Sequence, residues 1–175
     1  MDFVAVLREM GPFFEERKIR YAVIGGVGLA GYGIARATVD LDLVVDAAAQ
    51  QEVISFLESL GYGTLHRSTG YSNHQHPLPE RGAIDLVYVQ EPTSGRLFEA
   101  ARLLDGPGGM KIPVPRPEHL VAMKVVAMKN DPSRTYQDMA DIRFLSSLPG
   151  VDREEIRAQF EKHGLQERYR ELEQS

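Results

Sequence analysis

Apolar residues recur along this chain with two different periods, and the switches between them mark its elements. Across residues 2–17, Phe3, Val4, Leu7, Met10, Phe13 and Phe14 fall at helical spacing behind an Asp2 cap, with Pro12 disturbing the middle. Residues 21–24 read as a strand, 27–34 as a short helix or turn rich in small residues, and 36–45 as a second strand. Asp46 caps a helix that turns Val53, Ile54, Phe56, Leu57 and Leu60 inward and stops at Gly61. A short strand is expected at 62–65, after which HRSTGYSNHQHPLPERG carries neither period and reads as loop. AIDLVYV, residues 83–89, returns as a strand, 94–104 as a helix, GPGGM as a turn and 111–114 as a last strand. Then the pattern turns helical. Pro117 suits the first position of a helix carrying Leu120, Val121, Lys124, Val125 and Met128. Ser133 caps a second with Met139, Ile142 and Leu145, and Asp152 with Glu155 makes a capping-box pattern for a third. The fold class is therefore α/β: a core over residues 1–115 with an N-terminal helix, followed by a helical region over 116–175 packed on it.

Within 36–45 the side chains alternate. Arg36, Thr38, Asp40 and Asp42 project from one side, and Ala37, Val39, Leu41 and Leu43 from the other. Aspartates at i and i+2 stand roughly 6.5–7 Å apart at Cα, so their carboxylates can converge on hard cations such as Mg²⁺. The glycine pair Gly25–Gly26, thirteen residues upstream of Asp40, ends the preceding strand and lets backbone N–H groups approach a bulky anion. Asp85 is the one acid in AIDLVYV, and an acid in so apolar a strand needs a partner. If that strand lies beside the one carrying Asp40 and Asp42, three carboxylates can hold two cations against a polyphosphate. The competing readings are a plain strand-to-helix turn at Gly25–Gly26, a solvated strand face for Asp40 and Asp42, and an ion pair between Asp85 and Arg36.

Composition narrows the picture. The chain has 175 residues, 43% of them hydrophobic, and a formal net charge of -5, which argues against coating nucleic acid by bulk electrostatics. There is no cysteine, which excludes disulfides, thiolate metal sites and a cysteine nucleophile. The amino terminus lacks an apolar core with a cleavage site, and the most apolar run, near residues 21–35, is short and glycine-rich, so a cytoplasmic protein without membrane partners is expected. His66, His74 and His76 sit in the polar stretch and read as surface; Tyr71 there is placed to touch a base, though its spacing does not demand it.

A hydrophobic residue, a GG or GS pair, a gap and then D-h-D-h, with a later acid on another strand, is the signature of the DNA polymerase β-like nucleotidyltransferase superfamily. This chain resembles it through Ile24-Gly25-Gly26, Asp40-Leu41-Asp42-Leu43 and Asp85. More narrowly, RATVDLDLVV and RPEHLVAMKVVAMKNDPSRTYQDMADI are similar to the AbiEii-type toxin nucleotidyltransferases, a likeness spanning about residues 18–146. The resemblance implies a small mixed-sheet nucleotidyltransferase fold followed by a helical half. It implies Mg²⁺ or Mn²⁺ on Asp40, Asp42 and Asp85, with Gly25, Gly26 and Thr38 at the phosphates of an NTP. Lys124 would also serve the nucleotide, with Arg36, Asp138 and Asp141 as supports. The implied reaction moves an NMP from the NTP to an RNA or protein acceptor and releases pyrophosphate, in a toxin-antitoxin or phage-defence setting with an antitoxin partner. The rival reading is a noncatalytic nucleotide- or partner-binding regulator on the same fold, disfavoured by the retention of all three acids.

Overall fold

The computed structural model describes residues 1–34 and 36–174; Ala35 and Ser175 lie outside them. The chain divides into two compact units, Met1–Pro115 and Arg116–Ser175.

In the first unit, helix α1 (Phe3–Arg17) starts where Asp2 accepts the Ala5 N–H and ends at Lys18 in the left-handed conformation. Then follow β1 (Tyr21–Val23), α2 (Gly25–Gly31), β2 (Asp40–Asp46), a 3₁₀ turn capped by Asp46, α3 (Gln50–Ser59), β3 (Gly63–Arg67), β4 (Tyr71–Gln75), β5 (Ala83–Val89) and α4 (Thr93–Glu99). The hairpin β6 (Arg102–Asp105) and β7 (Lys111–Val114) closes the unit. The main sheet is mixed, ordered β1-β2-β5-β4-β3, with β2 and β5 parallel and every other pair antiparallel.

Its two faces differ. Leu41, Leu43 and Val45 of β2 share a face with Ile84, Leu86 and Tyr88 of β5, all buried. Helices α1 and α3 cover this face: Phe14 stacks on Tyr21 at 4.1 Å, and Phe13 stacks on Phe56 at 3.8 Å. Asp40, Asp42 and Asp85 stand on the other face, so the alternation read from sequence does separate the greasy side from the acidic one.

Four expectations are corrected. The second strand begins at Asp40, not Arg36, because Asp40 is the first residue that finds a partner, Ala83 on β5, while β1 has already turned into α2; Val39 is left 79% exposed. The stretch read as loop contains β4, paired with both β3 and β5; its buried residues are Ser72 and His74, so its period-2 burial carries no hydrophobic signal. His74 and His76 are buried rather than on the surface. The helix expected over 94–104 stops at Glu99, because residues 102–105 pair with β7.

The second unit holds four helices: α5 (Pro117–Asn130), α6 (Thr135–Ser147), α7 (Arg153–Lys162) and α8 (Gln166–Glu173). Leu120, Val121, Val125, Ile142, Leu145, Ile156 and Phe160 form its core. Asp131, not Ser133, makes the cap between α5 and α6. Asp152 caps α7 as expected, but the reciprocal arm differs: Glu155 binds Arg116 at 2.6 and 2.7 Å, and buried Glu118 accepts the Asp152 N–H at 2.8 Å.

Candidate active site

The parallel register of β2 and β5 sets Asp42 beside Asp85, with Asp40 two residues away on the same face. One carboxylate oxygen from each of the three lies within 4.8 Å of the others, and all three residues are half-buried. Like charges this close repel by on the order of 3 kcal/mol per pair at an effective dielectric near 20, so the cluster calls for positive charge. All-oxygen donors of this kind match hard divalent cations.

Neutral groups hold two of these carboxylates. Thr38 donates its hydroxyl to Asp40 Oδ1 at 2.8 Å, and Asn73 Nδ2, directly across from Asp85 on β4, donates to Asp85 Oδ1. Tyr71, on the same strand and the same face, has its phenol pushed above the ordinary range, by burial first and then by the neighbouring Asp85 carboxylate. Sequence reasoning missed Asn73 and gave Tyr71 no place at the acids. The available signal was the Ser68–Gly70 turn flanked by Thr64 and Tyr71, since Ser72, Asn73, His74 and Gln75 are poor strand formers.

The glycine pair has a cause beyond room for an anion. A Cβ on Gly25, whose φ is +57°, would stand 1.8 Å from Asp42 Oδ2, and one on Gly26 would stand 2.5 Å from Thr38 Cβ. The acid and the threonine thus lie directly over the first turn of α2. The Ile24 N–H donates to Asp42 O at 2.9 Å, and Gly28 is the first residue to bond back along the helix, to Ile24 O at 3.0 Å. The preceding N–H groups, of Gly25, Gly26 and Val27, have no acceptor within the helix. Arg36 and Thr38 lie in the irregular segment before β2.

In the helical unit, Lys124 on α5 meets Asp138 Oδ1 at 2.8 Å and Asp141 Oδ2 at 2.6 Å. The two acids, three apart on α6, share a helix face and are buried, and Arg134 reaches Asp138 Oδ2 at 3.3 Å. Lys129 is exposed. Among the described residues no helix is long and apolar enough to cross a membrane.

Comparison with known proteins follows the same lines. The family described as "Nucleotidyl transferase AbiEii toxin, Type IV TA system" matches residues 14–174. No curated protein matches the chain in sequence. Among solved structures, the antibiotic-resistance factor ANT(2'')-Ia superposes with a TM-score of 0.69 at 15% identity, covering 99% of this chain and 97% of that one. The lincosamide antibiotic adenylyltransferase LnuA, bound to lincomycin, gives a TM-score of 0.54 at 23% identity, over 82% of this chain and 96% of that one. An antigenic nucleotidyltransferase-like protein from Paracoccidioides brasiliensis gives 0.57 at 15% identity, over 92% and 86%. At these identities the likeness is one of fold.

Proposed function

Since the chain belongs to the AbiEii nucleotidyl transferase family, enzymes that transfer nucleotidyl groups, we propose that it moves an NMP from an NTP to a nucleophile on RNA or protein and releases pyrophosphate. The observation that carries this reading is the convergence of Asp40, Asp42 and Asp85 within 4.8 Å beside the glycine-led turn of α2.

Residues 1–115 act as the catalytic core, and residues 116–175 form the helical region that follows it. The three carboxylates fit Mg²⁺ or Mn²⁺, which would supply charge neutralisation on the phosphates and polarisation of the acceptor oxygen. Gly25 and Gly26 let Asp42 and Thr38 close over the first turn of α2, and the N–H groups of that turn serve the β and γ phosphates beside the metal-holding acids. Thr38 serves the same end by holding Asp40. Asp85 accepts the proton of the attacking hydroxyl. Arg36 supports the acids electrostatically, and Lys124, whose ammonium is held by Asp138 and Asp141, is the nucleotide-binding lysine that the family resemblance implies. Catalysis of this kind is positioning and charge stabilisation rather than covalent chemistry by the protein. The biological role that goes with the family is a toxin acting in the cytoplasm and restrained by an antitoxin.

The test is transfer of label from α-labelled ATP, GTP, CTP and UTP to the RNA and protein fractions of a cell extract, with Mg²⁺ and with EDTA. Labelling of one fraction in Mg²⁺ alone supports the reading. Absence of label in every fraction with every NTP overturns it.

A further inference from the structure

Asp85 is approached from its own sheet by two side chains for which nucleotidyl transfer has so far needed no role. Both come from β4, where Asn73 sits directly across from Asp85 and Tyr71 lies two residues away on the same face. Asn73 Nδ2 donates to Asp85 Oδ1, and Tyr71 shares that face closely enough for the same carboxylate to push its phenol above the ordinary range. The terminal torsion of an aspartate is broad and roughly two-fold, so strand geometry alone does not determine where its oxygens point.

We propose that Asn73 and Tyr71 are positioning residues that fix the Asp85 carboxylate, leaving its second oxygen turned to Asp40 and Asp42. The inference rests on the metal-dependent reading of these three acids. The choice of donors supports it. A lysine or arginine across from Asp85 would cancel its charge and compete with a divalent cation, whereas an amide and a phenol orient the carboxylate and leave the charge in place. The same arrangement recurs on the neighbouring strand, where the neutral hydroxyl of Thr38 holds Asp40. Asn73 and Tyr71 both project from a paired strand rather than a free loop, which is what holding a group within a fraction of an ångström requires.

The experiment uses the full chain and the variants Asn73→Ala, Asn73→Ser and Tyr71→Phe, the last removing only a hydroxyl. Circular dichroism establishes folding, Mn²⁺ binding in the presence of NTP is followed by electron paramagnetic resonance, and kcat and KM for NTP are measured at saturating Mn²⁺. Loss of an outer-shell partner typically costs about 10–100-fold in metal affinity or activity. Asn73→Ala is expected to lose that much in Mn²⁺ affinity and in kcat while KM for NTP stays within about threefold. Tyr71→Phe should lose less, and Asn73→Ser, which restores one donor, should recover part of the Asn73→Ala loss. Folded variants that bind Mn²⁺ and turn over like wild type overturn the positioning role alone. Should Asn73→Ala not fold, the serine and phenylalanine variants carry the same comparison. A wild-type chain that binds no Mn²⁺ with any NTP removes the metal reading, and this inference with it.

Discussion

Asp40, Asp42 and Asp85 in the α/β unit and Lys124, Asp138 and Asp141 in the helical unit are both clusters of carboxylates withdrawn from water, and they are satisfied in opposite ways. In the helical unit the compensation is built in: Lys124 meets both acids within 2.8 Å, and Arg134 adds a third cationic contact. In the α/β unit, Asp40 and Asp85 take neutral donors, Thr38 and Asn73, which orient charge without cancelling it. Acids that only support a fold behave like the helical cluster, because an uncompensated buried charge is costly. Asp40 and Asp85, held close to Asp42 and oriented by donors that leave their charge in place, are what a cation site needs before its cation arrives.

Removing one charge should therefore have opposite consequences in the two clusters. Asp40→Asn keeps the acceptor for Thr38 and relieves like-charge repulsion, so the fold should persist with unchanged or slightly higher Tm. Transfer of labelled NMP, in contrast, should fall by roughly a thousandfold or more, since several kcal/mol of charge stabilisation depends on the triad. A large drop in Tm for this variant would make the triad structural. Lys124→Ala should act first on stability: it strands two buried carboxylates, at a cost of about 3–5 kcal/mol and a Tm loss of roughly 10 °C in a chain of this size. Thermal unfolding with no such loss would mean that the helical cluster is not self-compensated.

Gly25→Ala sharpens the comparison without touching a charge. At φ +57°, with Asp42 Oδ2 1.8 Å from the added Cβ, the carboxylate must move. Backbone strain should cost about 1–3 kcal/mol, and displacement of a reacting group by about 1 Å should lower kcat roughly a hundredfold. The smallest expected effect lies on the opposite face of the sheet. There His74 bonds Thr64 at 3.1 Å and Ser72 at 2.8 Å, and burial holds its pKa below the ordinary 6.5. The unfolded chain takes up this proton more readily, so the contribution is complete above pH 6.5 and is lost as pH falls through the lowered value. Denaturant midpoints at pH 7.5 and 5.5 should converge in His74→Asn relative to wild type.

Much of this was legible in the chain. The alternation around Asp40 and Asp42 and the isolated acid at Asp85 are local patterns, and they place all three on one sheet face because β2 and β5 pair in register. What stayed hidden depends on non-local partners. Strand β4 hides because its buried residues, Ser72 and His74, are polar and satisfied by one another and by Tyr88 and Thr64. Asn73 and Tyr71 were hidden with it. Strand β6 hides because its leucines fit a helical period until β7 claims them. The start of β2 was misplaced because extended-looking residues before Asp40 have no strand to pair with.

The central claim is that Asp40, Asp42 and Asp85 form a site for divalent cation and NTP together. Thermal unfolding of wild type and Asp40→Asn, each alone, with Mn²⁺, with NTP in EDTA, and with both, tests it most directly. Ligand at about a hundred times its Kd adds about 2.7 kcal/mol to the folded state. The account therefore predicts a Tm rise of roughly 5–10 °C for wild type with Mn²⁺ and NTP together, little with either alone, and little for Asp40→Asn in any condition. An equal rise with NTP in EDTA, or the same rise in both proteins, would contradict it.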